Sequence, residues 1–270
     1  MKKQEILRKI KLFLFDMDGT LYIGDRLFDF TPRLLDTIKR NGGRYMFLTN
    51  NSSKSVNDYI KKLGGMGIKA DCDDFLTSSQ ATAYLLRRDY PGKPLYVCGT
   101  RSIEEELEKE GFSLTCDTSR AECIVMGYDT ELTYQKLYDV SYMLSTRDIP
   151  YIATNPDYVC PTEFGSVPDC GSICDMIFNA TGKRPEVVGK PQPLMPLLAM
   201  ERAGCKPRET AVIGDRIYTD VKSGINAGAV SVLVMSGETT PEILAGSDIK
   251  PDIVLSSCAD FLNYVPSEAE

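Results

Sequence analysis

Phe13-Leu14-Phe15-Asp16-Met17-Asp18-Gly19-Thr20 decides how the rest of this 270-residue chain is read. An apolar run stops at two carboxylates one residue apart, followed by Gly and Thr. A short apolar run bounded by a turn signal is the pattern of a fully buried strand, and Asp-Gly marks a tight turn directly after it. Asp16 therefore falls at the carboxyl end of a buried strand, where open α/β sheets bind their ligands. A free carboxylate titrates at about 4, so Asp16 is ionised at neutral pH and can attack an electrophile. Residues i and i+2 of a strand share a face. The turn bends Asp18 round to face the group that Asp16 attacks, where it can trade protons with it. Two like charges beside an anionic substrate call for a bound cation, and the set suggests covalent catalysis through an aspartyl intermediate. A plain strand and turn with solvated carboxylates explains the octapeptide as well, so the decision rests with the remaining sequence.

Composition narrows the chemistry. The chain is 43% hydrophobic and 26% charged, in the range of a globular protein. Its net charge of −7 argues against nucleic acid, which needs a basic footprint, and means that an anionic substrate must be captured by a local positive site. There is no His. Ser-His-Asp and Cys-His catalysis and His-ligated metals are thereby excluded, and acid/base work falls to carboxylates. A hard cation such as Mg²⁺ suits such donors better than Zn²⁺. Nine Cys are scattered, with no C-x-x-C, which reads as free thiols in a reducing cytoplasm. Cys170 and Cys174 are spaced for one helical face, where packing explains them. No apolar run is long enough for a signal peptide or a membrane span, so the expected compartment is cytoplasmic.

Outward from the opening stretch, the sequence predicts a helix over Thr31 to Arg40, with Leu34, Leu35 and Ile38 on one side, Pro32 in the first turn and Gly42-Gly43 at its end. Tyr45–Leu48 follows as a second buried strand. Strand–helix–strand order implies a parallel pair. Thr49-Asn50-Asn51-Ser52-Ser53 then opens a helix through Val56, Tyr59, Ile60 and Leu63. Unpaired N–H groups at a helix start form a phosphate site, with Thr49 and Asn50 the better candidates and ordinary capping the reading of Ser52 or Ser53. Phe75–Ser79 starts another helix. From Leu95 the α/β pattern begins again: strands at 95–99, 124–127 and 151–153 and helices at 102–111 and 134–144. The run of Glu104, Glu105, Glu106, Glu108 and Glu110 reads as a solvated face. This is an inserted second α/β unit, because two strands alone cannot complete a doubly wound sheet. The polar, Pro-rich stretch Thr154 to Gly171 reads as a fixed loop ahead of a helix over Ser172 to Ala180.

Two further stretches end in chemistry. Val187-Val188-Gly189-Lys190-Pro191 is a strand whose tip offers one ammonium, suited to a phosphate or carboxylate oxygen. Thr210–Asp220 is a buried strand running into Gly214-Asp215, with Asp220 five residues on. Asp220 reads either as a cap of the helix Val221 to Ala227 or as a metal ligand, and Asp215, with no cap role, as a metal ligand. Val230–Val234 and Asp252–Leu255 complete the sheet. If the strand tips lie on one edge of a parallel sheet, they assemble a nucleophile, an acid/base, a hydroxyl and amide cradle, a cation and a metal pair. That inventory suits phosphoryl transfer.

Asp16-Met17-Asp18-Gly19-Thr20, Thr49-Asn50-Asn51, Gly189-Lys190-Pro191 and Gly214-Asp215-Arg216-Ile217-Tyr218-Thr219-Asp220 stand in an order that resembles phosphatases of the haloacid dehalogenase (HAD) superfamily. The insert, with Thr154-Asn155-Pro156-Asp157 and Cys170-Gly171-Ser172-Ile173, resembles the α/β cap of the NagD-like, 4-nitrophenylphosphatase branch. The resemblance implies a doubly wound, Rossmann-like α/β core (1–78 and 187–270) with an inserted α/β cap domain (79–186). It implies Asp16 as nucleophile and metal ligand, and Asp18 as acid/base whose backbone carbonyl meets Mg²⁺. Asp215 and Asp220 would complete the metal site, Thr49, Asn50, Asn51 and Lys190 would hold the phosphoryl group, and Cys160, Gly171 and Ser172 of the cap would contact the substrate. The expected substrate is a small phosphorylated metabolite, such as a sugar phosphate, phosphoglycolate, a nucleotide or 4-nitrophenyl phosphate, and a homodimer is expected by resemblance only. Two departures bear on specificity: Asp169 adds a negative charge before the cap's Gly171-Ser172, and Cys160 stands where pyridoxal phosphatase relatives have His. Among rival readings, a mutase is disfavoured by the short stretch between Asp18 and the next helix, and a dehalogenase by Asp18 itself. A catalytically weak, metal-binding regulatory member of the same fold remains the alternative.

Overall fold

The computed structural model describes residues 3–263. They form two units: one takes the chain up to Thr49, Ile60–Leu76 and everything from Lys190, and the other takes Asn50–Tyr59 and Thr77–Gly189.

The first unit is built on a six-stranded sheet. Its spatial order is Ile253–Leu255, Val230–Val234, Thr210–Gly214, Leu12–Phe15, Arg44–Thr49 and Phe75–Thr77. The pairings across the first five strands are parallel. Strand Leu12–Phe15 is central and buried at all four positions, as its uninterrupted apolar sequence requires. Phe13 and Phe15 stack on one another and meet Phe261 edge to face, and Phe47 packs against Phe75. Each such ring removes its apolar surface from water, at about 1.5–3 kcal/mol per side chain. The chain adds strands to one side of Leu12–Phe15 first, then crosses and adds the rest to the other side. The order therefore reverses between Leu12–Phe15 and Thr210–Gly214, which is the switch point where such sheets bind ligands. Phe15 pairs with both Phe47 and Ile213, so Asp16 lies level with Leu48 and Gly214.

The helix Thr31–Arg40 matches the sequence expectation, with Leu34, Leu35 and Ile38 buried. Phe75 does not start a helix. Phe75–Thr77 is an edge strand and the helix is Ser78–Asp89. Thr77 and Gln80 exchange side-chain-to-backbone bonds of 3.1 and 3.0 Å, a capping box that fixes the start and leaves the three apolar-to-polar residues before it free to pair. Nor do Ser52 or Ser53 cap the next helix, Val56–Gly65. Ser55 does so with Asp58: Ser55 N and Oγ donate to the Asp58 carboxylate, and Asp58 N donates to Ser55 Oγ.

The second unit holds a four-stranded parallel sheet in the order Glu186–Val187, Tyr151–Ala153, Cys123–Met126, Leu95–Cys98. Its core gathers Ile124, Met126, Val140, Met143, Ile173 and Ile177. The strand before Lys190 thus belongs to this sheet and not to the six-stranded one. Only two residues of it pair, and they pair with Ile152 and Ala153. The Pro-rich stretch is not a plain loop. Val159–Thr162 and Gly165–Pro168 form an antiparallel hairpin. A two-stranded ribbon consists entirely of edges, so Pro161 and Pro168 interrupt no inner ladder. The acidic helix Arg101–Lys109 is not uniformly solvated. Glu106 Oε2 is buried with no hydrogen-bond partner among the described residues, and burial pushes the carboxyl up to about 7. Cys170 and Cys174 do share a helical face, their sulfurs 4.0 Å apart. No helix among the described residues is long and apolar enough to cross a membrane.

Candidate active site

In the first unit, two connections leave the switch-point edge carrying three carboxylates. Asp16 directly follows the central strand, its N–H donating to Ile213 O at 2.8 Å. Asp215 directly follows Thr210–Gly214. Asp220 lies in a wide helical turn, Ile217–Val221, whose Val221 N–H reaches back five residues to Arg216 O; single wide turns of this kind recur at functional sites. The turn aims the Asp220 side chain backward, where it accepts from Arg216 N at 3.1 Å. Asp220 therefore does not cap the helix after it. Among the described residues, Asp16, Asp215 and Asp220 are the one group of three or more acidic or thiol donors whose ligand atoms all lie within 4.8 Å of one another.

Lys190 closes the group. Its ammonium donates to Asp16 Oδ1 and Asp220 Oδ1, both at 2.6 Å, and to Leu48 O at 3.2 Å. Its side chain is only 3% exposed. Burial by itself would lower its pKa, but the carboxylates of Asp16 and Asp220 outweigh burial and hold it above its ordinary value. It is an ammonium throughout the neutral range. The carboxyls of Asp16 and Asp215 are pushed up as well, which for an acid favours the neutral form. Burial, then the charges of Asp220 and Asp215 against the opposing pull of Lys190, raises Asp16 to about 8. Burial and Asp220 raise Asp215 to about 6.

Two glycines make the packing of these carboxylates possible. Gly19, at φ +80°, leaves Asp215 Oδ2 within 2.5 Å of where a Cβ would stand, and at Gly214 a Cβ would collide with the Asp220 carboxylate. Thr20 Oγ1 donates to Asp215 Oδ1 at 3.4 Å.

Were all three carboxylates ionised, one ammonium would leave two negative charges unbalanced in this buried site, and burial with mutual repulsion holds Asp16 and Asp215 toward their neutral forms instead. A hard divalent cation has the charge and the donor preference for this set, so Asp16, Asp215 and Asp220 fit such an ion.

Asp18 is held apart from that cluster. It is exposed at the tip of the turn, while Gly19 N–H bonds back to Tyr22 O at 2.8 Å. Desolvation raises its pKa, and Lys62, the Gly24 N–H and Arg216 pull it down less strongly. Thr49 is buried at the end of the neighbouring strand.

The remaining sequence candidates belong to the second unit. Asn50 Nδ2 donates to Asp157 Oδ2 at 3.0 Å, and Asn51 Oδ1 accepts from Ser53 N and Oγ. Cys160 lies on the hairpin, opposite Val167. Ser172 Oγ donates to Tyr158 O at 2.6 Å. Gly171 has a packing reason of its own: any Cβ would collide with Pro156 O.

Sequence reasoning missed a buried network in this unit. Ser52 Oγ bonds Thr154 Oγ1 at 2.9 Å, Thr154 Oγ1 donates to Asn155 Oδ1 at 2.9 Å, and Asn155 Nδ2 donates to Asp157 Oδ2 at 3.2 Å and Asp169 Oδ1 at 3.0 Å. Asp169, read from sequence as an added negative charge, also accepts from Cys170 N. It is the N-cap of the helix Cys170–Thr181. The signal was present in Asp169-Cys170 ahead of an apolar helical run, a plain N-cap pattern.

Comparison with known proteins agrees with this architecture. The family described as haloacid dehalogenase-like hydrolase matches residues 13–113, and a HAD-hydrolase-like family matches 187–261. An acid sugar phosphatase of Staphylococcus aureus is 31% identical over 245 residues, covering 91% of this chain and 94% of its own. A solved 4-nitrophenylphosphatase from Thermotoga maritima is 39% identical with a TM-score of 0.92, covering 97% of this chain and 99% of its own. A glycerol phosphate phosphatase from Mycobacterium tuberculosis, solved in complex with calcium, is 26% identical with a TM-score of 0.88, over 95% of this chain and 76% of its own.

Proposed function

The chain belongs to the haloacid dehalogenase-like hydrolases, and on that premise we propose that it hydrolyses small phosphomonoesters through an aspartyl-phosphate on Asp16, with Mg²⁺ as cofactor. The observation that carries the reading is the pairing of the Asp16 carboxylate with a buried Lys190 ammonium, inside a ring completed by Asp215 and Asp220.

In the first step an Asp16 carboxylate oxygen forms a bond to phosphorus as the ester P–O bond breaks. The leaving oxygen takes its proton from Asp18, whose raised pKa suits a group that must carry one. In the second step Asp18 accepts a proton from water as that water attacks phosphorus, the P–O bond to Asp16 breaks, and inorganic phosphate is released. Lys190, kept charged, neutralises an equatorial phosphoryl oxygen, and Thr49 supplies a donor for another. Asp16, Asp215, Asp220 and the Asp18 carbonyl would hold Mg²⁺, which when bound offsets the charge of the phosphoryl group and of the carboxylates together. The second unit is read as the cap domain, which selects the leaving group. The relatives' names place sugar phosphate, glycerol phosphate and 4-nitrophenyl phosphate among the substrate types to be tried.

Metal removal tests the reading. Release of 4-nitrophenol from 4-nitrophenyl phosphate is expected to stop in excess chelator and to return on adding Mg²⁺ beyond the chelator. Hydrolysis that continues unchanged in chelator would overturn the cofactor assignment.

A further inference from the structure

Three residues that no motif singles out, Ser236-Gly237-Glu238, are wrapped around Asp215. Glu238 N donates to Asp215 Oδ2 at 2.6 Å, and Thr239 N donates to Asp215 O at 3.2 Å. Gly237 passes so close that a Cβ there would overlap the Asp215 carboxylate. Ser236 Oγ donates to Gly19 O at 2.7 Å, which ties the loop to the turn that carries Asp18. The Glu238 side chain then reaches across to the turn between Asp215 and Asp220. Its Oε2 meets Arg216 Nε at 2.8 Å, and its Oε1 accepts from Tyr218 Oη at 2.5 Å. One carboxylate thus holds residues 216 and 218 while its own backbone holds 215. Arg216 N, in turn, donates to the Asp220 carboxylate.

We propose that Glu238 is a positioning residue for the metal centre: it fixes the Arg216–Asp220 turn against the loop after strand Val230–Val234, so that Asp215 and Asp220 are held facing one another before an ion arrives. The inference deepens the proposed function and rests on it. Groups that orient the ligands of a metal, without touching the ion, set its affinity, because each ligand left free to rotate must be ordered on binding. Glu238 is more than a surface charge in this account. Each of its two oxygens has a separate partner on the same short turn, and the backbone next to it contacts the ligand itself. An exposed Arg–Glu pair alone would contribute little. Here the pair is part of a bracket whose other arm is the N–H to Asp215.

The test measures divalent-cation binding directly, with Mn²⁺ as the probe followed by its electron paramagnetic resonance signal. Hydrolysis of 4-nitrophenyl phosphate is titrated against Mg²⁺ in parallel. For Glu238→Ala the dissociation constant for Mn²⁺ and the Mg²⁺ activation constant are expected to rise together by about ten- to a hundredfold, with a smaller change in kcat at saturating Mg²⁺. Glu238→Gln, whose amide oxygen can still accept from Arg216 while its N–H donates to the Tyr218 hydroxyl oxygen, is expected to recover most of the loss. Tyr218→Phe, which removes one arm of the bracket without a volume change, is expected to show a smaller rise in the same direction, and it carries the test if Glu238→Ala does not fold. Equal Mn²⁺ affinity in the wild type and in the variants that fold would overturn the positioning role while leaving the metal centre standing. Absence of Mn²⁺ binding by the wild type would overturn the metal centre and this inference with it. A fall in kcat alone, with both constants unmoved, would also contradict it.

Discussion

Asp16→Asn is expected to abolish turnover of 4-nitrophenyl phosphate, by on the order of 10⁴-fold or more in kcat, because it removes the proposed nucleophile. The expected effect on stability has the opposite sense. Asp16 is pushed up to about 8, first by burial and then by Asp220 and Asp215. A carboxyl whose native pKa lies above its unfolded value binds protons in the folded state that the unfolded state has already released. Stability therefore falls as pH rises from about 4 toward the native value. The amide carries no charge and removes that cost. In chelator at pH 7, Asp16→Asn is accordingly expected to melt at or above the wild-type temperature while being inactive. Thermal melts beside steady-state kinetics check this. An inactive protein that also melts well below the wild type would mean that Asp16 is chiefly a structural partner of Lys190.

The second large effect is at Lys190. Lys190→Met keeps most of the volume but leaves Asp16 and Asp220 without their shared ammonium. Removing one partner of a buried charge pair costs about 3–5 kcal/mol, because the other charge is left uncompensated. Lys190 itself is held above its ordinary pKa, so its contribution is present across the neutral range and would be lost only as pH rises past that value. The loss in the variant depends on pH through Asp16, which it strands. With the ammonium gone Asp16, already raised by burial, is harder still to ionise, and the cost of ionising it grows as pH rises above about 4. The destabilisation is therefore largest near pH 8 and shrinks toward pH 5. Saturating Mg²⁺ is expected to return part of it, by mass action on the folded state. Urea unfolding at pH 5.5 and pH 8, with and without Mg²⁺, reads all three features. A variant as stable as the wild type at pH 8 in chelator would contradict this account of the site.

Most of the six-stranded sheet was legible because its strands are buried on both faces. Such strands are written as unbroken apolar runs, and each of the two central ones stops at a charged residue, Asp16 or Asp215. The helix Thr31–Arg40 was legible for the complementary reason, a clear period with Pro and Gly at its ends. What escaped the sequence was short or cooperative. Phe75–Thr77 is too brief to show a period, and its Ser-rich continuation resembles a helix start. The hairpin at 159–168 hides behind prolines that a ribbon tolerates and an inner strand does not. Glu186–Val187 has two residues of pairing, so nothing in it names the sheet it joins. The site divides along the same line. Asp16, Asp215, Asp220 and Lys190 were found because each stands at a strand tip or close behind it. Ser236-Gly237-Glu238 was not, because Ser-Gly-Glu is an ordinary surface turn until the fold brings it against Asp215. Asp220 was ambiguous in sequence for a physical reason: a five-residue spacing fits a helix cap and a wide turn alike, and only the backbone bond from Val221 to Arg216 separates them.

The claim on which the rest depends is that the phosphoryl group passes through Asp16. Rapid acid quench of the enzyme during turnover of 4-nitrophenyl phosphate with Mg²⁺, followed by proteolysis and mass spectrometry, tests it directly. The predicted result is a peptide containing Asp16 that carries the mass of one phosphoryl group, is discharged by hydroxylamine as an acyl phosphate must be, and is missing from Asp16→Asn. Turnover with no phosphorylated peptide at any quench time, or with the phosphoryl group on another residue, would contradict the account.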